Sequence, residues 1–333
     1  MKKPNAAVIG VGSMGKNHAR IYSQMDSVNL VAVSDVNGKL AKDVAGDYYC
    51  KAYTNYKQML KKEHIDFVSV VVPTMYHKDV AIECMKSGKH VLLEKPISDT
   101  SKNAREIIKV AKKENVKFTI GHIERFNPAV IELKKRLENN ELGKVFSITA
   151  NRVGPFPTRV RDVGVVIDLA VHDIDIMRYL TNSEVKRIYA EAERRIHTSH
   201  EDLLNGLLKF KNGALGVLSV DWLTPEKIRE ISIKGERGMF VVKYLTQELL
   251  FYENRMMSKN GYSYSDMLMG VTEGDITNIR INKKEPLKSE LESFVDCVVN
   301  NKQPIVSAED GLKALEIAEK IIESSVSNRV ISL

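Results

Sequence analysis

Short apolar runs alternate with helix-like stretches through the first third of the chain. Runs at residues 6–10, 30–34, 66–72, 90–93 and 117–120 are rich in Val, Ile, Leu and Ala. Helix-like patterns at 16–25, 76–87 and 101–114 separate them. Continuous β-branched runs joined by helices predict a doubly wound parallel sheet, because parallel strands are covered on both faces. Gly88 ends the second helix, and Thr74 is the expected N-cap at its start.

The texture then changes. Asn127-Pro128 starts a helix that runs towards Gly143, and a strand at 144–153 leads into a loop with Gly154, Pro155 and Pro157. Residues 164–180, GVVIDLAVHDIDIMRYL, read as a helix that is apolar almost all the way round and therefore buried. Asp168, His172 and Asp175 interrupt it, within roughly 60° of one another on an α-helix. Unpaired buried charge is costly, so these groups form a satisfied core pair or serve a proton-transfer site. Strands follow at 185–194, 203–210, 214–222, 227–234, 239–245 and 248–252, with turns at Asn212-Gly213 and 235–238. Residues 253–274 are polar and loop-like. Helices at 287–300 and 308–325 close the chain, the last capped by Ser307 and Asp310. The expected fold class is α/β: a Rossmann domain over residues 1–122 and an α+β domain with an open antiparallel sheet over 123–333. The terminal helix is free to pack back towards the first domain.

Composition changes this picture little. With 43% hydrophobic and 28% charged residues the chain reads as globular. No apolar run reaches the roughly 18 residues of a membrane span, and the apolar start is too short and glycine-broken for a signal peptide. Cys50, Cys84 and Cys297 lack metal-type spacing and read as thiols of a reducing cytoplasm. No metal site is expected. The +7 net charge is spread along the chain; it favours phosphorylated small ligands slightly and carries no nucleic-acid signature.

Chemistry enters with Gly10-Val11-Gly12-Ser13-Met14-Gly15 between the first strand and helix. Glycines there allow a tight turn and let backbone N–H groups reach a pyrophosphate at the helix N-terminus. Asp35 lies 20 residues beyond Gly15, at the end of the second strand, where a carboxylate accepts from an adenosine ribose. That carboxylate repels a 2′-phosphate and no arginine follows it, so NAD is preferred over NADP. Ligands bind at the carboxyl ends of such strands, which places Pro73, Thr74, His77, Glu94 and Lys95 at the cofactor. For His77 a capping or packing role is an equal alternative.

The glycine motif with Asp35, Glu94-Lys95-Pro96, GHIERFNP (121–128) and DLAVHDID (168–175) together resemble the family of glucose–fructose oxidoreductase, inositol dehydrogenase and MocA. The match runs the length of the chain. The resemblance implies an NAD(P)-dependent dehydrogenase whose second-domain sheet packs between subunits of a homodimer or homotetramer. It puts the family's active-site lysine, aspartate and histidine on Lys95, Asp168 and His172. His172 then takes a proton from a secondary alcohol, Asp168 orients it, and Lys95 stabilises charge on the reacting oxygen. Asp175 grips a neighbouring hydroxyl or pairs with Arg178. The nucleotide-sugar branch is favoured by residues 152–172, which implies a substrate like UDP-N-acetylglucosamine, oxidised at its 3-hydroxyl. Arg152, Arg159 and Arg161 receive its diphosphate or form surface ion pairs, and Arg125 and Asn127 complete the expected substrate contacts. The competing readings are an inositol or free-sugar dehydrogenase and a non-catalytic dinucleotide-binding regulator.

Overall fold

The computed structural model describes residues 3–157, 163–196, 199–254 and 274–333. The chain divides into two compact units: Met1–Phe126 with Lys284–Glu316, and Asn127–Lys283 with Ile317–Leu333.

The first unit alternates β1 (Asn5–Ile9), α1 (Ser13–Gln24), β2 (Asn29–Ser34), α2 (Gly38–Asp47), β3 (Lys51–Tyr53) and α3 (Tyr56–Lys62). It continues with β4 (Phe67–Val70), α4 (His77–Lys86), β5 (His90–Glu94), α5 (Ser101–Lys113) and β6 (Phe118–Gly121). The strands form one sheet in the order β3-β2-β1-β4-β5-β6, and every pairing is parallel. Strand order reverses between β1 and β4, the place where open parallel sheets bind ligands. The segment α2–β3–α3 adds elements that the apolar pattern does not announce. Asn37 and Asn55 cap these two helices by accepting backbone N–H groups. Thr74, by contrast, is not an N-cap. It begins a short 3₁₀ turn, Thr74–Tyr76, and α4 starts at His77 with no side-chain cap.

The second unit opens with α6 (Pro128–Glu138), capped by the Asn127 side chain. Then come β7 (Val145–Pro155), a π-helical turn at Val166–Ala170 and α7 (Val171–Thr181). The strands β8 (Val185–Glu193), β9 (Leu203–Phe210), β10 (Leu215–Asp221), β11 (Leu223–Gly235), β12 (Gly238–Lys243), β13 (Glu248–Glu253) and β14 (Ile276–Ile279) follow. Next, α8 (Pro286–Val299) belongs to the first unit. Its Leu287, Leu291, Phe294 and Val295 form a stripe that joins Tyr22 and Phe67 in one core. Phe294 and Tyr22 meet the Phe67 ring edge-on, at 5.6 and 5.5 Å between centroids. The first compact unit thus runs to Phe126 and takes in 284–316, whose stripe completes its core. Finally α9 (Ala308–Ser327) spans the two ranges and β15 (Ile331–Ser332) ends the chain. Ser307 and Asp310 cap α9 reciprocally: the Asp310 N–H donates to Ser307 Oγ at 3.0 Å, and the Ser307 N–H donates to Asp310 Oδ2 at 3.1 Å.

The second unit's sheet runs β14-β13-β12-β11-β7-β10-β9-β8-β15. It is mixed rather than purely antiparallel, because β7 and β10 pair in parallel from Leu215↔Ser147 to Asp221↔Val153. The chain leaves β7 through α7 and returns at β8, three places away in the sheet, and the hairpins β8–β9–β10 then bring β10 alongside β7 in the same direction. One face of the sheet is buried through Ile148, Ala150, Leu208, Phe210, Leu218, Ile231, Ile233 and Phe240. On the other face, pairing lines up Tyr189, Leu207, Val217, Thr149, Ser232, Val241 and Leu250 in one row. Leu207 is 57% exposed and Tyr189 37%.

Candidate active site

In the first unit, a dinucleotide cradle is built from backbone. Gly10 leaves β1 at φ +87°, where a side chain would strike the Val71 carbonyl. A Cβ on Gly15 would overlap the Gly10 carbonyl, so the helix can start this close to the strand only with glycine. Gly12 opens α1 with no side-chain cap, no acid in the first turn and open space where its Cβ would point. That cradle fits a dinucleotide pyrophosphate, which would sit against Gly12, Ser13 and Met14 at the positive end of a 12-residue helix. Asp35 closes the loop: Oδ2 accepts the Val11 N–H and Oδ1 the Asn37 N–H, each at 2.9 Å. A carboxylate offers about four lone-pair positions, so capacity remains for a ribose.

At the neighbouring strand ends the side chains are held from below. Lys95 is half-buried and joined to Pro96 by a cis peptide. Glu94 is buried, with Oε1 3.2 Å from His18 Nε2 and Oε2 accepting the Lys95 N–H at 3.2 Å. Its carboxyl group lies against Gly121, where a Cβ would come within 3.1 Å. Burial works to raise the Glu94 pKa, but the bond and charge of His18, with Lys95, outweigh it and hold the carboxyl below its usual range. Glu290 on α8 shares this interior at 2% exposure. Neither of its carboxyl oxygens has a hydrogen-bond partner, and burial, then the charge of Glu94, pushes its pKa well up.

His77 does not face an open cofactor cleft. It is 1% exposed, with Nδ1 2.8 Å from the Pro96 carbonyl and Nε2 2.9 Å from the Val72 carbonyl. Burial lowers its pKa, while the two carbonyls and the Glu94 carboxylate pull it the other way. With both nitrogens engaged, direct bonding to a cofactor is withdrawn. Pro73 and Thr74 do stand at the carboxyl end of β4, beside the strand-order reversal.

In the second unit, the expected substrate residues Asp168, His172 and Asp175 lie on the helix of residues 164–181. Its apolar positions are buried as expected, with Val165, Val166, Ala170, Ile174, Ile176 and Met177 fully enclosed. The helix is not uniform, however: Val166–Ala170 is a π turn, and α7 begins only at Val171. A π turn changes the angular step between Asp168 and His172 from the α-helical value, and such turns recur at functional sites. Asp168 is 8% exposed and His172 half-buried, while Asp175 is fully buried. That burial assigns Asp175 to the interior, so its expected grip on a hydroxyl is not carried forward. The Glu201 backbone carbonyl accepts the Val165 N–H at 2.9 Å, and its carboxylate accepts the Val166 N–H at 3.2 Å, satisfying the helix start. Gly164 makes room for that carboxylate.

Three expected substrate contacts are internal. Arg152 is 4% exposed, its Nε 2.7 Å from Asp173 Oδ2, and its guanidinium lies 5.3 Å from the centre of the Tyr244 ring. Arg125 donates to Asp310 at 3.1 Å within the first unit. Asn127 caps α6 and donates to the Tyr244 carbonyl at 3.1 Å. Asp173 and Tyr244 lie buried beside Arg152 and Asn127, and Asp310 lies half-buried beside Arg125. Arg159 and Arg161 lie outside the described residues. The reading of the sequence passed over His18, Asp173, Glu201 and Glu290. For Asp173 a signal existed, since it stands in the same apolar helix.

The profile of an oxidoreductase family with an NAD-binding Rossmann fold matches residues 4–122, and that of the same family's C-terminal α/β domain matches 134–333. The chain belongs to the Gfo/Idh/MocA oxidoreductases. Among members of that family, a UDP-N-acetylglucosamine 3-dehydrogenase of Acidithiobacillus ferrooxidans is 27% identical, over 94% of this chain and 95% of that protein. A myo-inositol 2-dehydrogenase of Thermotoga maritima is also 27% identical, over 98% and 97%. The solved structure of the Acidithiobacillus enzyme superposes with a TM-score of 0.86 at 26% identity, covering 98% of this chain and 99% of that one. Among the described residues no three His, Cys, Asp or Glu side chains group to hold a metal ion, and no helix is long and apolar enough to cross a membrane.

Proposed function

We propose that the protein oxidises a secondary hydroxyl of a nucleotide sugar, UDP-N-acetylglucosamine to its 3-keto form, with NAD as the oxidant. The alcohol loses a hydride and a proton and becomes a ketone; NAD, when bound, accepts the hydride. His172 takes the proton, a role its ordinary pKa range suits at neutral pH. Asp168, buried and four residues earlier, orients the imidazole and stabilises its charged form. Lys95 hydrogen-bonds the reacting oxygen and stabilises the charge that develops there. The observation that carries this reading is that Asp168, buried, and His172, half-buried, stand four residues apart on a largely apolar helix in a chain with a dinucleotide cradle.

Asp35 favours NAD over NADP, because a second anion beside its carboxylate would be repelled. Arg159 and Arg161 receive the diphosphate. The sheet face that exposes Tyr189 and Leu207 pairs with a second copy, giving a homodimer or homotetramer in the cytoplasm.

A second reading has its own support: a polyol dehydrogenase. The inositol dehydrogenase relative is as similar as the nucleotide-sugar one, and two of the five expected substrate cations and amides, Arg125 and Arg152, are held in internal ion pairs. Initial rates of NADH formation with UDP-N-acetylglucosamine, UDP-glucose, myo-inositol and glucose separate the two. The highest kcat/KM is expected with UDP-N-acetylglucosamine. An equal or higher value with myo-inositol would overturn the nucleotide-sugar assignment.

A further inference from the structure

The helix that carries Asp168 and His172 starts against a residue far off in sequence. Glu201 lies between β8 and β9, just before Asp202, which is fully buried and locked into the sheet. The Asp202 N–H donates to the Glu193 carbonyl at the end of β8, and its carbonyl accepts the Trp222 N–H just past β10, both at 2.9 Å. Its carboxylate accepts the Arg195 and Ile196 N–H groups at 2.8 and 2.6 Å. Glu201 is thus presented from a fixed base. Its own carbonyl and carboxylate take the N–H groups of Val165 and Val166, two of the donors that a helix start leaves unpaired. The carboxylate lies directly over Gly164, where a Cβ would overlap it. The Gly164 carbonyl in turn accepts the Asp168 N–H at 3.0 Å, so the gripped segment opens the turn that bears Asp168.

This grip comes immediately before the π turn Val166–Ala170. A π turn takes in one residue more than an α turn, and a slip of one residue swings a side chain by about 100° around the helix axis. A held start fixes where the extra residue is absorbed, and with it the bearing of Asp168 on His172. We propose that Glu201 is a positioning residue, which keeps the π turn in register by holding the backbone at 165 and 166. This rests on the reading of Asp168 and His172 as the proton-handling residues. Glu201 acts through the helix and touches no reacting atom.

Two substitutions break the grip from opposite sides. Glu201→Ala removes the carboxylate. Gly164→Ala keeps the carboxylate and takes its seat; the Gly164 backbone lies outside the left-handed region, so alanine brings no strain of its own. Glu201→Gln keeps an oxygen for the Val166 N–H and loses only the charge. Small misplacements at a reacting centre are costly, so kcat is expected to fall about ten-fold in both alanine variants and to stay within about three-fold in Glu201→Gln. The Kd for NAD, measured by calorimetry, should stay within about two-fold in all three. In a His172→Ala background, Glu201→Ala should cost less than about two-fold more, because its effect passes through that imidazole. Carbethoxylation of His172 by diethyl pyrocarbonate, followed by mass spectrometry of its peptide, supplies a readout without turnover. Its rate should rise in both alanine variants and not in Glu201→Gln. A lower Tm with kcat and carbethoxylation unchanged would reduce Glu201 to a helix cap. A loss in Glu201→Gln as large as in Glu201→Ala would make its charge, and not its grip, the cause and overturn the proposal. A full ten-fold further loss in the His172→Ala background would do the same. If the unaltered protein turns over no sugar, the proposed function falls, while the carbethoxylation rates still decide on Glu201.

Discussion

The glycine loop of the first unit and the helix of residues 164–181 in the second both present polar groups from apolar surroundings, by opposite means. In the loop the backbone does the work: Gly10, Gly12 and Gly15 remove side chains so that N–H groups and a helix end stand open. In the helix the side chains do the work, and each needs a partner or a task. Asp173 has Arg152, and the helix start has Glu201. Backbone sites need only the right spacing in one short stretch, whereas side-chain sites need partners brought in from elsewhere in the fold.

The largest expected effect tests whether the two regions are separable. His172→Ala should lower kcat by about 10²–10⁴, the usual contribution of a general base, and leave the Kd for NAD within about two-fold. A parallel loss of NAD binding would break the separation. The next concerns stability: Asp173→Asn or Arg152→Ala breaks a buried pair and should cost about 3–5 kcal/mol in urea unfolding. A cost below about 1 kcal/mol, typical of an exposed pair, would return Arg152 to the substrate.

The smallest expected effect falls on the first unit. Glu290 has a folded-state pKa above its unfolded value, so its contribution to stability is fully present below the unfolded pKa. That contribution is lost as pH rises towards the folded pKa. Glu290→Gln should therefore leave the unfolding free energy unchanged near pH 4 and raise it increasingly above that, by up to about 1.4 kcal/mol per pH unit in this window. A pH-independent difference would mean that Glu290 is ionised and balanced by a cation.

The same contrast governs what the sequence makes legible. The parallel sheet, the cradle, the Asn127 cap of α6 and the Ser307–Asp310 box are local in spacing, and each is found where the pattern predicts it. The buried character of 164–181 is legible as well. Its π turn is not, because hydrophobic periodicity does not report a single widened turn. Arg125 and Arg152 read as ligand contacts because Asp310 is 185 residues away and Asp173 is 21. His77 reads as a cofactor contact because motifs report position along the chain and not the carbonyls that a ring will meet. The return of the terminal helix towards the first domain is open in the sequence, whereas the place of α8 in that core is not: a stripe shows that a helix is half-buried, not against what.

The central claim is hydride removal from a sugar carbon of a nucleotide sugar, and isotopic labelling tests it directly. UDP-N-acetylglucosamine carrying deuterium at C3 is incubated with the protein and NAD, and the reduced cofactor is analysed by mass spectrometry. Deuterium is expected in the NADH together with a 3-keto nucleotide sugar. Unlabelled NADH, or no NADH at all beside turnover of myo-inositol, would contradict it.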